Sequence, residues 1–220
     1  MTGPWRRFGI ALDHLVVAAA SLEAGAQWLE RRLGVAPDPG GSHPGWGTHN
    51  RLMQLGAGTY LELIAADPAV ARPPAPRPFG LDRPEMQARI AERPRLIHYV
   101  MRTPRLDDAA PAMGYDPGVI TPMTRGALRW RITLPVGGMP GGDGLLPTLI
   151  QWDIDLSSAH PAAVLEPRGI WLERLTLRAP APVAAQLAGI DSDPRIALHV
   201  AVRPGLTARL LTPSGAVDLD

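Results

Sequence analysis

The stretch LDHLVV at residues 12–17 returns as LIHYVM at residues 96–101. Both read as buried strands with a histidine in third place. Near the end of each unit a second apolar run follows, GTYLELI in the first and LLPTLI in the second. His14 stands 48 positions before Glu62, and His98 stands 50 positions before Thr148. Two similar stretches with nearly the same internal spacing mean that one structural unit has been built twice. That narrows the possible folds more than any single motif does.

Each unit can be filled in from local signals. After the first strand, SLEAGAQWLERRLG carries Ser21 as an N-cap, Glu23 in the first turn and Gly34 as a stop. Leu22, Ala26, Leu29 and Leu33 share one helical face. APDPGGSHPGWG reads as a loop with room for one short strand, and THNRLMQL and TYLELIA follow as strands joined by a GAG turn. Residues 67–84 are a proline-rich, extended connector, and PEMQARIAER is a short helix. The second unit then runs through RLIHYVMRT, a poor helix at PRLDDAAPAMG, and strands at GALRWRITLP and LLPTLIQWD. VGGMPGGDG between them lacks the setting of a phosphate loop and reads as a hairpin loop. The expected fold is α+β: paired βαβββ modules forming a cup-shaped curved sheet. Within one domain over 1–220, module one spans 10–66, the connector 67–94, module two 95–153 and a partial C-terminal module 168–220.

Composition removes several chemistries. The 220 residues are 45% hydrophobic and 20% charged, with net charge +1, so nothing favours nucleic acid or an anionic membrane. Every basic residue other than histidine is arginine, which removes Schiff-base and Walker-lysine chemistry. The absence of cysteine removes disulfides and thiolate sites, and fits a cytoplasmic location. Asp13 and His14 interrupt the N-terminal apolar run, so it reads as mature structure, and no apolar run is long enough to span a bilayer. No G-x-S-x-G elbow is present.

LDHLVVAA, the segment LGV followed by PGGSHPGWGTHNRLMQLGAGTYLELIA, and GLLPTLIQWD with the later HPA resemble the glyoxalase-like domain family of the vicinal-oxygen-chelate superfamily. The resemblance covers about residues 11–175. It implies two curved modules, with first-strand and last-strand residues of each serving as ligands to one divalent ion. Carried over by position, the ligands are His14, Glu62 and His98, with Zn, Fe, Mn or Ni as the ion. Thr148 departs from the pattern where a fourth, carboxylate ligand is expected. The resemblance further implies a lyase, isomerase or dioxygenase acting on a small oxygen-bearing substrate, with Glu62 catalytic, or a metal-free small-molecule-binding protein of the same fold.

Strand alternation gives an independent reading. Leu12, His14 and Val16 share one face, as do Tyr60, Glu62 and Ile64, and Leu96, His98 and Val100. The opposite faces are apolar and suit packing under helices. A buried Glu62 between two imidazoles needs positive charge, from a metal or from protons on both histidines; the bland alternative is an ion pair with Arg51. His43, Trp46, His49, Asn50, Trp130, Trp152 and Arg174 are candidate substrate contacts. Turn-forming or core roles stand against each. Asp13 reads as a strand-edge partner, and His160 as a turn former. At least one of Arg102, Arg129, Arg131 and Arg174 is expected to reach the cup as an oxyanion binder. A homodimer is possible on this reading.

Overall fold

The structure, a computed structural model, describes residues 3–56 and 58–220. Ala57, in the middle of the expected GAG turn, lies outside the described residues, as do Met1 and Thr2 of the N-terminal segment. Module one comprises α1 (Pro4–Arg7), β1 (Ala11–Ala18), α2 (Leu22–Leu33), β2 (Asp38–His43), β3 (Thr48–Gln54) and β4 (Tyr60–Ala66). The connector carries α3 (Pro84–Glu92). Module two comprises β5 (Arg95–Arg102), α4 (Leu106–Ala109), β6 (Val119–Arg125), β7 (Leu128–Leu134) and β8 (Thr148–Trp152). After α5 (Pro161–Val164) come β9 (Trp171–Ala179), α6 (Ala181–Gln186), β10 (Ile196–Val200), β11 (Gly205–Thr212) and β12 (Gly215–Leu219).

The first eight strands make one curled sheet in the order β2-β3-β4-β1-β5-β8-β7-β6. The α+β architecture of paired modules therefore stands. β1 and β5 meet antiparallel at the centre, where His14 lies opposite Val100 and Val16 opposite His98. β4 and β8 flank them in parallel, with Glu62 beside Val16 and Thr148 beside Val100. A local two-fold thus relates His14 to His98 and Glu62 to Thr148. The curl brings the outer strands β2 and β6 back towards each other.

The expected faces need one correction. β1 carries a β-bulge between Leu12 and His14, and β5 slips by one residue where Val16 and Val17 pair with His98 and Leu96. An extra residue at a bulge resets the alternation. Leu12 and Leu96 therefore join the convex side of the sheet, with Leu15, Val17, Tyr99 and Met101. Val16, Ala18, Ile97 and Val100 lie in the concave cluster with Ile64 and Trp130.

The helix α2 forms as its caps dictate. Ser21 Oγ accepts from the Ala24 amide at 3.2 Å, and Gly34 closes the helix at φ 79°. Ala26, Leu29 and Leu33 bury its inner face on the convex side. The C-terminal strands also cover that side, as a separate sheet in the order β10-β9-β11-β12. Their element order repeats βαβββ, but β9 lies inside this sheet beside β10 and β11, whereas β1 pairs with β4 alone in its own module. Leu175, Leu177, Ala208 and Leu210 bury the inner face of this sheet against the same cluster that holds Leu15 and Val17. No helix among the described residues is long and apolar enough to cross a membrane.

Candidate active site

The concave face forms a cleft with about 590 Å³ of empty space, open solvent at its mouth included. One part of its lining is polar and comes from three neighbouring strands and the far edge of the sheet: His14 on β1, Glu62 on β4, Asn50 on β3 and Arg125 on β6. The rest is mainly apolar, with Trp46, Phe79, Met123, Trp130 and Trp152 prominent.

The bulge that resets β1 also sets the chemistry. It lets Asp13 and His14, neighbours in sequence, reach one buried cluster. Asp13 Oδ1 accepts from His14 Nδ1 at 2.7 Å. Its Oδ2 accepts from His160 Nε2 and Trp152 Nε1, each at 3.1 Å, and Arg102 Nη1 stands 3.8 Å away. Burial alone would raise the Asp13 pKa, but the hydrogen bonds from His14 and His160 hold it well below the usual carboxylate range. Asp13 is therefore a buried anionic hub joining β1, β8 and the start of α5, not a strand-edge partner. His160 Nδ1 accepts from the Ala162 amide at 3.2 Å, so His160 both caps α5 and donates to Asp13 through Nε2.

The same bond fixes the His14 tautomer. With its Nδ1 proton given to Asp13, the lone pair of Nε2 faces Glu62 Oε2 at 3.8 Å. That is too long for a hydrogen bond. Two proton acceptors stand here with a gap between them that a shared proton or a substrate atom can fill. Tyr60 stacks on the His14 ring at 4.6 Å. The other Glu62 oxygen, Oε1, accepts from Asn50 Nδ2 at 2.6 Å, and Asn50 Oδ1 accepts from Arg125 Nη1 at 2.9 Å. Glu62 thus engages an arginine, as the bland reading required, but through an amide and with Arg125 in place of Arg51.

His98 is a different residue in effect. Its Nδ1 donates to the Gly144 carbonyl at 2.8 Å, leaving Nε2 to accept from the Thr148 hydroxyl at 3.0 Å. It is wholly buried and outside the cavity lining. Burial brings its pKa from the ordinary 6.5 down to about 4, against the raising effect of the Gly144 carbonyl. Phe79 lies over it, ring centroids 5.1 Å apart, and lines the cavity in its place. Phe79 has φ 59°, a left-handed conformation that a bulky residue seldom adopts. The connector is anchored to hold it, with Arg77 donating to the Gly47 carbonyl at 2.7 Å and pairing with Asp82 at 2.7 Å. The connector is therefore part of the cup wall as well as a link.

The resemblance implies a divalent ion, and the ligands expected for it, His14, Glu62 and His98, can be tested on their donor atoms. His14 and Glu62 face the same cavity. Both ring nitrogens of His98 are already committed to Gly144 and Thr148, so the three residues do not converge. No group of three histidine, aspartate or glutamate side chains among the described residues is arranged to hold an ion. The expected His14–Glu62–His98 set does not fit a metal here, and Glu62 does not bridge the two histidines.

The substrate-contact candidates divide in the same way. His43, Trp46, Asn50, Trp130 and Trp152 line the cavity. His49 does not; its Nδ1 stands 3.9 Å from Asp67. Arg174 is exposed on the second sheet. Arg131 pairs with Asp107 at 2.8 Å, Arg129 is exposed, and Arg102 lies behind the floor beside Asp13. The arginine that reaches the cup is Arg125, which strand reading missed because Pro122 obscures β6.

A family model described as a glyoxalase-like domain matches residues 12–190. No curated protein sequence matches the chain. Among solved structures, a hypothetical protein from Staphylococcus aureus is similar at 12% identity and TM-score 0.50, over 95% of this chain and 84% of that one. A methylmalonyl-CoA epimerase from Mycobacterium tuberculosis gives 20% identity and TM-score 0.40, covering 67% of this chain and 91% of its own. The Streptomyces coelicolor methylmalonyl-CoA epimerase with 2-nitronate-propionyl-CoA gives 18% and 0.41, covering 65% and 97%.

Proposed function

Because this chain belongs to the glyoxalase-like domain family of the vicinal-oxygen-chelate superfamily, and because a carboxylate–imidazole–carboxylate row ends its cup, we propose that it is an enzyme of isomerase or lyase type. Its substrate is a small oxygen-bearing organic molecule, and its reaction is proton transfer at a carbon beside a carbonyl group.

The observation that carries this reading is the opposed pair Glu62 Oε2 and His14 Nε2, 3.8 Å apart at the cavity. Asn50 occupies the second Glu62 oxygen, so Oε2 is the one left to take a proton. Asp13 holds His14 in the tautomer whose Nε2 can receive it in turn. The apolar walls lower the polarity around the pair and so raise the strength of each polar contact in the cup.

The direct test is deuterium wash-in. Small ketones and aldehydes are incubated with the protein in D2O, and exchange beside the carbonyl is followed by NMR. Glu62→Gln and His14→Gln should each slow exchange by about a hundredfold or more, on the scale of losing a positioned acid or base. A second reading, a metal-free binding protein, is favoured by the three tryptophans that line the cavity. Ligand quenching of tryptophan fluorescence with no wash-in for any carbonyl compound would decide for it.

A further inference from the structure

Removing a proton beside a carbonyl leaves negative charge on the oxygen, and something in the cup must receive it. The place where the family pattern puts a cation is closed by the His98–Thr148 bond and by Phe79. Arg102 stands beside Asp13, outside the cavity lining. Among the described residues the remaining cation is Arg125, which lines the cavity. Its only side-chain hydrogen bond among the described residues is Nη1 to Asn50 Oδ1, at 2.9 Å. A guanidinium carries five N–H donors in a fixed plane. Most of this fork is therefore unused, in a cup walled by tryptophan, phenylalanine and methionine.

The charges of the cup also pair off. Asp13 has Arg102 at 3.8 Å and its histidine donors; Glu62 is linked to Arg125 through the Asn50 amide. An anionic ligand would add a second negative charge beside Glu62 with no cation left to offset it. A neutral ligand would not.

We propose that Arg125 is the oxyanion-binding residue of the site and that the substrate is a neutral carbonyl compound with a flat apolar body. This rests on the proton-transfer reading given above. The body lies against Trp130 and Trp152, whose rings are 5.3 Å apart by centroid on the module-two side of the cup. The C–H bond beside the carbonyl breaks, and its proton goes to Glu62 Oε2. The bonding pair becomes the carbon–carbon double bond of an enolate, and the carbonyl π pair moves to the oxygen, where Arg125 N–H groups receive it. Return of the proton from Glu62 or His14 to carbon restores the charge balance, and nothing is oxidised.

The probe is 2-naphthol, a flat body with an enol-like oxygen whose ionisation is visible in its fluorescence. Bound to the parent protein, it should ionise at lower pH than when free, because its proton passes to Glu62 and no second negative charge is added while Arg125 holds the oxygen. Arg125→Gln should weaken naphtholate binding about tenfold or more, as expected for a lost hydrogen bond to a charged group. It should change naphthalene binding less than about twofold on the same scale, with Arg125→Lys intermediate for naphtholate. Neutral 2-acetylnaphthalene should bind more tightly than 2-naphthoate. An unshifted ionisation in the parent protein overturns the proposal without need of any variant. So does unchanged naphtholate affinity in a folded Arg125→Gln protein, or tighter binding of the carboxylate. Naphtholate held through Arg125 with no deuterium wash-in keeps this inference and removes the proton-transfer reading; wash-in that survives Arg125→Gln does the reverse.

Discussion

Asp13 gathers His14, His160 and Trp152 onto one buried carboxyl group. Removing it leaves three donors facing an empty space. Asp13→Ala should therefore cost about 3–5 kcal/mol in urea unfolding, the scale for breaking a buried charged network. Asp13→Asn keeps the volume and should cost less, yet it unsettles the His14 tautomer and should slow wash-in about as much as His14→Gln does. His98 gives a separate signature in pH. The unfolded chain takes up its proton below 6.5, the folded protein only near 4, so stability is complete above 6.5 and falls as pH drops through that window. The loss should reach about 3 kcal/mol, and His98→Gln should flatten it. Asp13 adds a further loss below its ordinary 3.8. The repeat made His14 with His98, and Glu62 with Thr148, legible as equivalent pairs. It could not show that Thr148 satisfies His98, because that depends on which nitrogen the Gly144 carbonyl claims.

Among the elements, the central strands were legible and the two edges were not. β1, β4, β5 and β8 are apolar runs that announce themselves. β2 reads DPGGSH, a loop composition that left room for one short strand, and β6 reads VITPMTR, whose β-branched residues are interrupted by Pro122. They become strands by pairing on one side only, where proline and glycine are tolerated. The curl then brings them near each other, and so Arg125 reaches Asn50 across the seam. Gly40 shows how closely β2 must approach, since a Cβ there would overlap Asn50 Oδ1 and the Asn50 backbone. Gly40→Ala should displace Asn50, loosen both Glu62 and Arg125, and slow wash-in about tenfold or more, the scale on which small misplacements act. Gly45→Ala, where a Cβ meets nothing within 4 Å, should leave the rate unchanged. The bulges of β1 and β5 were equally illegible, because a one-residue slip is written in the partner strand as much as in the strand itself.

At the scale of the whole molecule, the cup is the inner layer of a single packed body. Its sheet is backed by α2 and by the second sheet, and their leucines share one cluster with Leu12, Leu15 and Val17. A chain cut after residue 166 would leave that convex face bare. It should lose cooperative melting and bind a hydrophobic dye, as loosely packed states do, while the full chain melts in one transition by both near- and far-ultraviolet circular dichroism. The connector between the modules has a consequence of another kind. It lies largely at the surface, yet it delivers Phe79 to the cup. Each arginine of its proline-rich stretch over 67–84, Arg72, Arg77 and Arg83, is followed directly by proline. Trypsin cuts poorly before proline, so this extended strap gives that protease almost no foothold. Digestion of the native protein should begin outside this stretch and leave it uncut, with the aromatic wedge still seated between the modules.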